Sequence, residues 1–341
     1  MNRLLYPFSL IYSVLLKMDR FFSIHRKFSV PVISVGNITW GGTGKTPIVI
    51  ELLKLLIKEN FKPAVLMRGY FRYAKHPIIL RDGAVGVNVL DTGDEPLLIS
   101  RSVPQSIVVV GADRYDNALK FKNEINSNIY ILDDGFQHWS INRDLDIVCV
   151  NAVNPFGNGM LIPAGILREK PKALKRAMIV IITNSDMISN EDLKKLKETL
   201  FNFSGKEPIV TYYGDFEYKN TDLKTNFDLD LLKKSEVYSL SAIGFNKSFE
   251  NSIKKSGVKI KCNIVLRDHS YYNNSMISKI IRSNNLNKKN SYFIITAKDA
   301  VKFQNIDINI KKKIVVLIVK PKFEIGEEEW GKKVLKNLQF F

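Results

Sequence analysis

VISVGNITWGGTGKTP, residues 32–47, decides how this chain folds. Pro31–Val35 reads as a buried strand, a glycine-rich turn follows, and Lys45-Thr46 opens a helix over Lys45–Glu59 with Ile48, Leu52, Leu55 and Leu56 on one side. In that order the turn's main-chain N–H groups and the positive end of the helix dipole make a cradle for phosphates. Lys45 would reach the β/γ-phosphates of a nucleoside triphosphate, the Thr46 hydroxyl would hold Mg²⁺, and Thr39, Trp40, Gly41, Gly42, Thr43 and Gly44 would line the nucleotide. The usual pattern opens on glycine where this chain has Thr39, so the loop is a variant. Alone it implies an NTPase and nothing finer.

Outward from that loop, short β-branched runs alternate with helical stretches. Ala64–Met67, Ile107–Val110, Ile129–Leu132, Leu145–Val150 and Met178–Thr183 read as further strands. Such alternation predicts an α/β fold, a P-loop core with a mostly parallel sheet wrapped by helices. Gly205–Asp222 is polar, aromatic and broken, and reads as a link. Beyond it Val237–Leu240, Val258–Leu266, Tyr292–Thr296 and Ile314–Val319, with helices near Lys247–Lys255 and Ser275–Ser283, predict a second, smaller α/β domain. The expected division is an N-terminal helix over 1–30, a P-loop core over 31–205, a smaller domain over 206–320, and a tail over 321–341 that returns to the core.

The chain carries 51 Lys+Arg against 34 Asp+Glu, a formal charge of +17, which favours an anionic partner without choosing one. Basic and aromatic residues do not interleave as they do in nucleic-acid stacking surfaces, so no nucleic acid is expected. Cys149 and Cys262 form neither a metal pattern nor a disulfide framework, and Cys149 reads as a buried strand residue. The apolar run Leu4–Leu16 is too short to span a bilayer. With Arg3, Lys17, Arg20, Arg26 and Lys27 around it, it suits an amphipathic helix in a membrane interface, or equally a helix packed on its own domain.

Other residues with chemistry cluster at strand ends. IYILDDGFQH, residues 129–138, is an apolar strand ending in Asp133-Asp134, the place where P-loop enzymes hold a metal shell. Asp94, in Gly93-Asp94-Glu95-Pro96, reads either as a helix-capping carboxylate or as a general base for a hydroxyl. Arg114 and Arg168 adjoin predicted strands or turns and read either as phosphate clamps, since ligands of open α/β sheets sit at the carboxyl ends of strands, or equally as surface charges.

Taken in order, VGNITWGGTGKTP, RGY, GDEP, GADR, LDDGFQH, NPFGNGMLIPAGILRE, RDHSYY and TAKDAVKF resemble the motif series of the tetraacyldisaccharide 4′-kinase family over about residues 32 to 303. The resemblance implies an ATP- and Mg²⁺-dependent kinase that phosphorylates the 4′-hydroxyl of a lipid A disaccharide 1-phosphate to give lipid IVA. It implies catalytic roles for Asp94, His269 and Lys45, with Asp94 as base paired to His269. Thr46, Asp133, Asp134 and Glu169 would serve phosphates and metal, and Arg114, Gln137, His138 and Arg168 the substrate. Asp94 and His269 would lie in different domains, so closure would accompany turnover. The resemblance also implies a monomer held peripherally on the cytoplasmic face of the bacterial inner membrane by residues 1–27. Three positions depart from the family pattern: Ser270 replaces a second histidine after His269, Ala297 replaces an acid before Lys298, and Phe71 replaces a glycine after Tyr70.

Overall fold

All of Val32–Gly36 is buried, as are Pro63–Met67, Ile129–Asp133, Leu145–Asn151 and Ile179–Thr183, so these runs read as central strands covered on both faces. The structure is a computed structural model that describes residues 3–70, 72–268, 270–283 and 290–338. Its strands, in chain order, are β1 (Val32–Gly36), β2 (Pro63–Met67), β3 (Ile78–Leu80), β4 (Ile107–Val110), β5 (Ile129–Asp133) and β6 (Leu145–Asn151). There follow β7 (Ile179–Thr183), β8 (Ile209–Lys219), β9 (Glu236–Ser241), β10 (Ile260–Val265), β11 (Ser291–Thr296) and β12 (Ile314–Phe323).

The chain forms two compact units. The P-loop unit comprises Met1–Arg68, Ser106–Tyr212 and Pro321–Phe341. Its strands run in the order β8-β7-β6-β1-β5-β2-β4, all paired in parallel. β1 lies between β5 and β6, so the loop after it opens where the strand order turns back, the usual ligand position in such sheets. The second unit comprises Gly69–Gln105 and Tyr213–Lys320, with the parallel order β10-β9-β11-β12.

Two expectations about organisation need correction. The stretch Gly69–Gln105, expected in the P-loop core, belongs to the second unit. Gln304 ties it there, accepting from the Val89 N–H at 3.0 Å and donating to the Val87 carbonyl at 2.6 Å, and Lys298 donates to Glu95 at 3.0 Å. Gly205–Asp222, read as a link, is mostly β8, Ile209–Lys219. Its Val, Thr, Tyr and Phe content favours a pleated strand, and this outweighs its polar residues. The chain crosses between units four times, in the loops after β2 and before β4 and then inside β8 and inside β12.

Helix Tyr6–Phe22 is attached to the P-loop unit by polar side chains. The Ser9 hydroxyl donates to Leu161 O at 2.8 Å and accepts from Ala164 N–H at 3.1 Å, and the Tyr12 hydroxyl donates to Arg168 O at 3.1 Å. Arg20 stacks over the Trp139 ring at 4.9 Å. The apolar side chains Phe8, Leu10, Ile11, Val14, Leu15, Met18, Phe21 and Phe22 are exposed, Phe21 at 82%. This reverses the ordinary surface helix, which turns its apolar side inward. Cys149 is buried and Cys262 exposed, both as free thiols.

Candidate active site

The P-loop is held open from behind. Gly44, at φ +72°, turns the chain into helix Lys45–Lys58. The Asn37 amide donates to Thr39 O at 2.8 Å and to the Thr43 hydroxyl at 2.9 Å. Asn151, the last residue of β6, donates to Gly42 O at 3.1 Å, and Thr183, the last of β7, donates to Thr43 O at 2.9 Å. Tying back these carbonyls fixes the peptide planes, which turns their N–H groups to the other side. Among the described residues, no turn or loop hydrogen bond uses a main-chain N–H of Gly41–Lys45. Such a cradle fits a polyphosphate.

The loop 133–138 folds over the end of β1. Val35 pairs with Asp133 in register, and a Cβ at Gly36 would lie 2.5 Å from the Phe136 Cβ. Only glycine permits that approach. Asp134, at φ +51°, projects its carboxylate to Lys45 Nζ at 3.3 Å and to Arg168 Nη1, which reaches its two oxygens at 2.9 and 2.7 Å. Burial pushes the Asp134 carboxyl upward, but Lys45, then Arg168 and Arg114, outweigh it and hold the group well below the usual carboxylate range. Arg114, buried, donates to Asp133 O at 2.9 Å. Burial, then Arg114 and Arg143, lower the His138 imidazole from 6.5 to about 4, and its Nε2 lies 3.2 Å from the Ser140 hydroxyl.

A second cluster surrounds Glu169. Gln137 Nε2 donates to it at 2.8 Å and to Asn37 O at 2.9 Å, and Arg176 donates to it at 2.9 Å. Arg176 also stacks on the rings of Phe136 (4.4 Å) and Trp139 (4.6 Å). Among the described residues no group of three His, Cys, Asp or Glu side chains gathers as a metal site.

Of the predicted residues, Lys45, Thr46, Arg114, Asp133, Asp134, Gln137, His138, Arg168 and Glu169 therefore share the P-loop unit. Asp94 opens helix Asp94–Ser102 in the second unit, where its Oδ2 lies 3.8 Å from Lys298 Nζ and 3.7 Å from Lys302 Nζ. His269 lies outside the described residues, but its neighbours Asp268 and Ser270 belong to the same unit as Asp94. The stretch carrying Asp94, expected in the P-loop core, thus folds in the unit that holds Asp268 and Ser270. Sequence reading missed Asn37, Asn151, Thr183 and Arg176 around the loop, and Lys298, Asp299 and Lys302 near Asp94. Asn151 and Thr183 gave one signal: each is a polar residue ending an otherwise apolar strand.

Beside the P-loop, Tyr12, Trp40, Ile162, Pro163, Gly165 and Ile166 line an open apolar groove of about 400 Å³. Trp40, in the nucleotide loop itself, is 66% exposed.

A parallel sheet feeding a phosphate cradle, with a lysine at the helix start and acids at the next strand's end, defines a P-loop enzyme that handles nucleotide phosphates. The pattern of the tetraacyldisaccharide-1-P 4′-kinase family matches residues 1–339, and the chain belongs to that family. Curated tetraacyldisaccharide 4′-kinases from Syntrophus aciditrophicus and Halothermothrix orenii are 37% and 36% identical to it. The first match covers 88% of this chain and 83% of the relative, the second 81% and 75%. The crystal structure of the Aquifex aeolicus family member in complex with ATP superposes with a TM-score of 0.76 at 30% identity, covering 98% of each chain. The activity is accordingly ATP-dependent phosphorylation of the 4′-hydroxyl of tetraacyldisaccharide 1-phosphate, which forms lipid IVA in lipid A biosynthesis.

Proposed function

We propose a division of labour for this activity: the P-loop unit holds the phosphates of ATP, and Asp94 of the second unit is the base. The observation that carries the first half is the tied-back loop, whose N–H groups are oriented before any phosphate arrives. Lys45 exchanges its contact with Asp134 for the phosphates. Asp134, itself held by Arg168, serves as the resting partner of Lys45. Thr46 and Asp133 would supply protein oxygens for Mg²⁺, which, when bound, would neutralise phosphate charge. Glu169 is engaged by Gln137 and Arg176, which suits a positioning role better than metal ligation.

In the transfer, Asp94 accepts the 4′-hydroxyl proton as that oxygen bonds to the γ-phosphorus. The bond from that phosphorus to the bridging oxygen breaks, and its electron pair leaves with ADP. Arg114 and Arg168 offer cationic charge for phosphate groups, and neutral His138 offers a hydrogen bond. Purified protein with Mg-ATP and radiolabelled lipid substrate in detergent tests the base. Asp94→Ala is expected to lose on the order of 10²- to 10⁴-fold in kcat. Near-normal turnover would remove Asp94 from the mechanism.

The lipid substrate is met at the cytoplasmic face of the inner membrane, with helix Tyr6–Phe22 lying in the interface. Support comes from its outward apolar face, flanked by Lys17 and Lys27, and from its polar attachment through Ser9 and Tyr12. No helix among the described residues is long and apolar enough to cross a bilayer. Flotation with anionic vesicles tests this placement. Phe21→Ser/Phe22→Ser is expected to weaken binding about tenfold or more, from the loss of two apolar anchors. Unchanged binding would show that this face does not enter the lipid.

A further inference from the structure

The second unit carries a buried ion cluster for which the motif roles give no account. Lys302, its side chain 1% exposed, donates to Asp299 Oδ1 at 3.1 Å, and the Asp299 side chain is 0% exposed. Asp299 Oδ2 in turn accepts from the Thr296 hydroxyl at 2.8 Å and from the Ala242 N–H at 3.2 Å. These bonds fix Lys302, which also lies over the Tyr272 ring at 5.8 Å. From there its ammonium stands 3.7 Å from Asp94 Oδ2. Lys298, held by Glu95 at 3.0 Å, approaches the same oxygen at 3.8 Å, while Asp94 Oδ1 accepts from the Glu95 N–H at 3.0 Å.

Stability is a poor reason for such a cluster. Removing a lysine and an aspartate from water costs several kcal/mol each, and well-packed apolar side chains of similar volume commonly do as well or better. What the cluster supplies is direction. One end is locked by main-chain and hydroxyl donors, and the other presents an ammonium to one chosen oxygen of Asp94. We propose that Lys302, anchored by Asp299, is a positioning residue that orients the Asp94 carboxylate for proton transfer, with Lys298 as its second clamp. The inference rests on the reading of Asp94 as the base.

The test is a double-mutant cycle. Asp299→Asn/Lys302→Met removes both charges together, so no lone buried charge remains. In the otherwise unchanged enzyme it should lower kcat roughly 10- to 100-fold, the scale of a misplaced reacting group, with the KM for ATP moved less than about twofold. In an Asp94→Asn background the same pair should cost less than about twofold more, because its effect runs through Asp94. A purely structural role predicts the full loss again in that background, which overturns the proposal. So does parent-like turnover of the pair while Asp94→Asn is inactive. If Asp94→Asn itself turns over like the parent, the base reading fails first and takes this inference with it. Should the pair not fold, Lys298→Met, at the more exposed edge of the cluster, enters the same cycle. Its expected loss, roughly 3- to 10-fold, should likewise vanish when Asp94 is Asn.

Discussion

Among the described residues, Asp134 in the P-loop unit and Asp94 in the second unit each have two cations within ion-pair distance, and the spacing sets them apart. Asp134 meets Arg168 at 2.7 Å and Lys45 at 3.3 Å, within hydrogen-bond reach of the guanidinium. Asp94 meets Lys302 and Lys298 only at 3.7 and 3.8 Å. At the shorter distances charge and directed hydrogen bonds act together, and the carboxylate is committed as an anion. At the longer ones Coulomb attraction persists, but the directed bond is largely lost. Two acids, each with a pair of cations in reach, are thereby suited to different work. One is a fixed counter-charge; the other, on the reading proposed above, is an oriented base.

The largest way to break this contrast is to remove the cation that the first acid holds in waiting. Lys45→Ala should cost on the order of 10³-fold or more in kcat, because the charge aimed at the transferring phosphoryl group is gone. The lipid-kinase assay reads it directly. A loss below about tenfold would mean that Lys45 serves only to neutralise Asp134. The next effect separates the acids themselves. Asp134→Asn should raise the KM for ATP roughly 10-fold and lower kcat less, since a counter-charge tunes the loop. Asp94→Asn should act on kcat with the KM for ATP nearly unchanged. Equal patterns in the two variants would erase the distinction.

The same contrast explains what could be seen in the sequence. Lys45, Asp133 and Asp134 belong to local patterns, a glycine-rich turn opening a helix and an apolar run ending in acids. Local patterns survive without knowledge of the fold. Strand identity in the P-loop core was equally visible, because fully buried parallel strands are near-continuous apolar runs. β8 was not, since its exposed Tyr212, Gly214 and Asp215 break the apolar pattern. Lys298, Asp299 and Lys302 lie about two hundred residues beyond Asp94, and nothing in their spacing points to it. Their link to Asp94 exists only because Gly69–Gln105 folds with the second unit. For the same reason the stretch carrying Asp94 was assigned to the wrong half. The N-terminal helix posed another problem: its sequence fitted both docking on the domain and facing a membrane. In the structure Ser9 and Tyr12 bond to the domain while the apolar side chains point outward.

The smallest predicted effect concerns a third ionisable group, which cationic surroundings lower as they lower Asp134, here favouring the neutral form. Burial, then Arg114 and Arg143, disfavour the His138 imidazolium and outweigh the opposing charge of Asp113, lowering the group from 6.5 to about 4. The folded protein therefore leaves His138 neutral over a range in which the unfolded chain already binds a proton. Stability must rise with pH wherever the unfolded state holds more protons. The contribution of neutral His138 is thus complete above about 6.5, is lost as pH falls from there toward 4, and changes no further below that. Replacing the group by His138→Asn should flatten that part of the stability profile and leave the region above neutrality unchanged. Denaturant midpoints of parent and variant at several pH values between 7 and 4 supply the comparison, and an imidazole NMR titration locates the group itself. An imidazole that titrates near its ordinary value, with parallel stability profiles, would show that Arg114 and Arg143 do not control His138. In that event Asp134 alone would carry the electrostatic signature of the phosphate site.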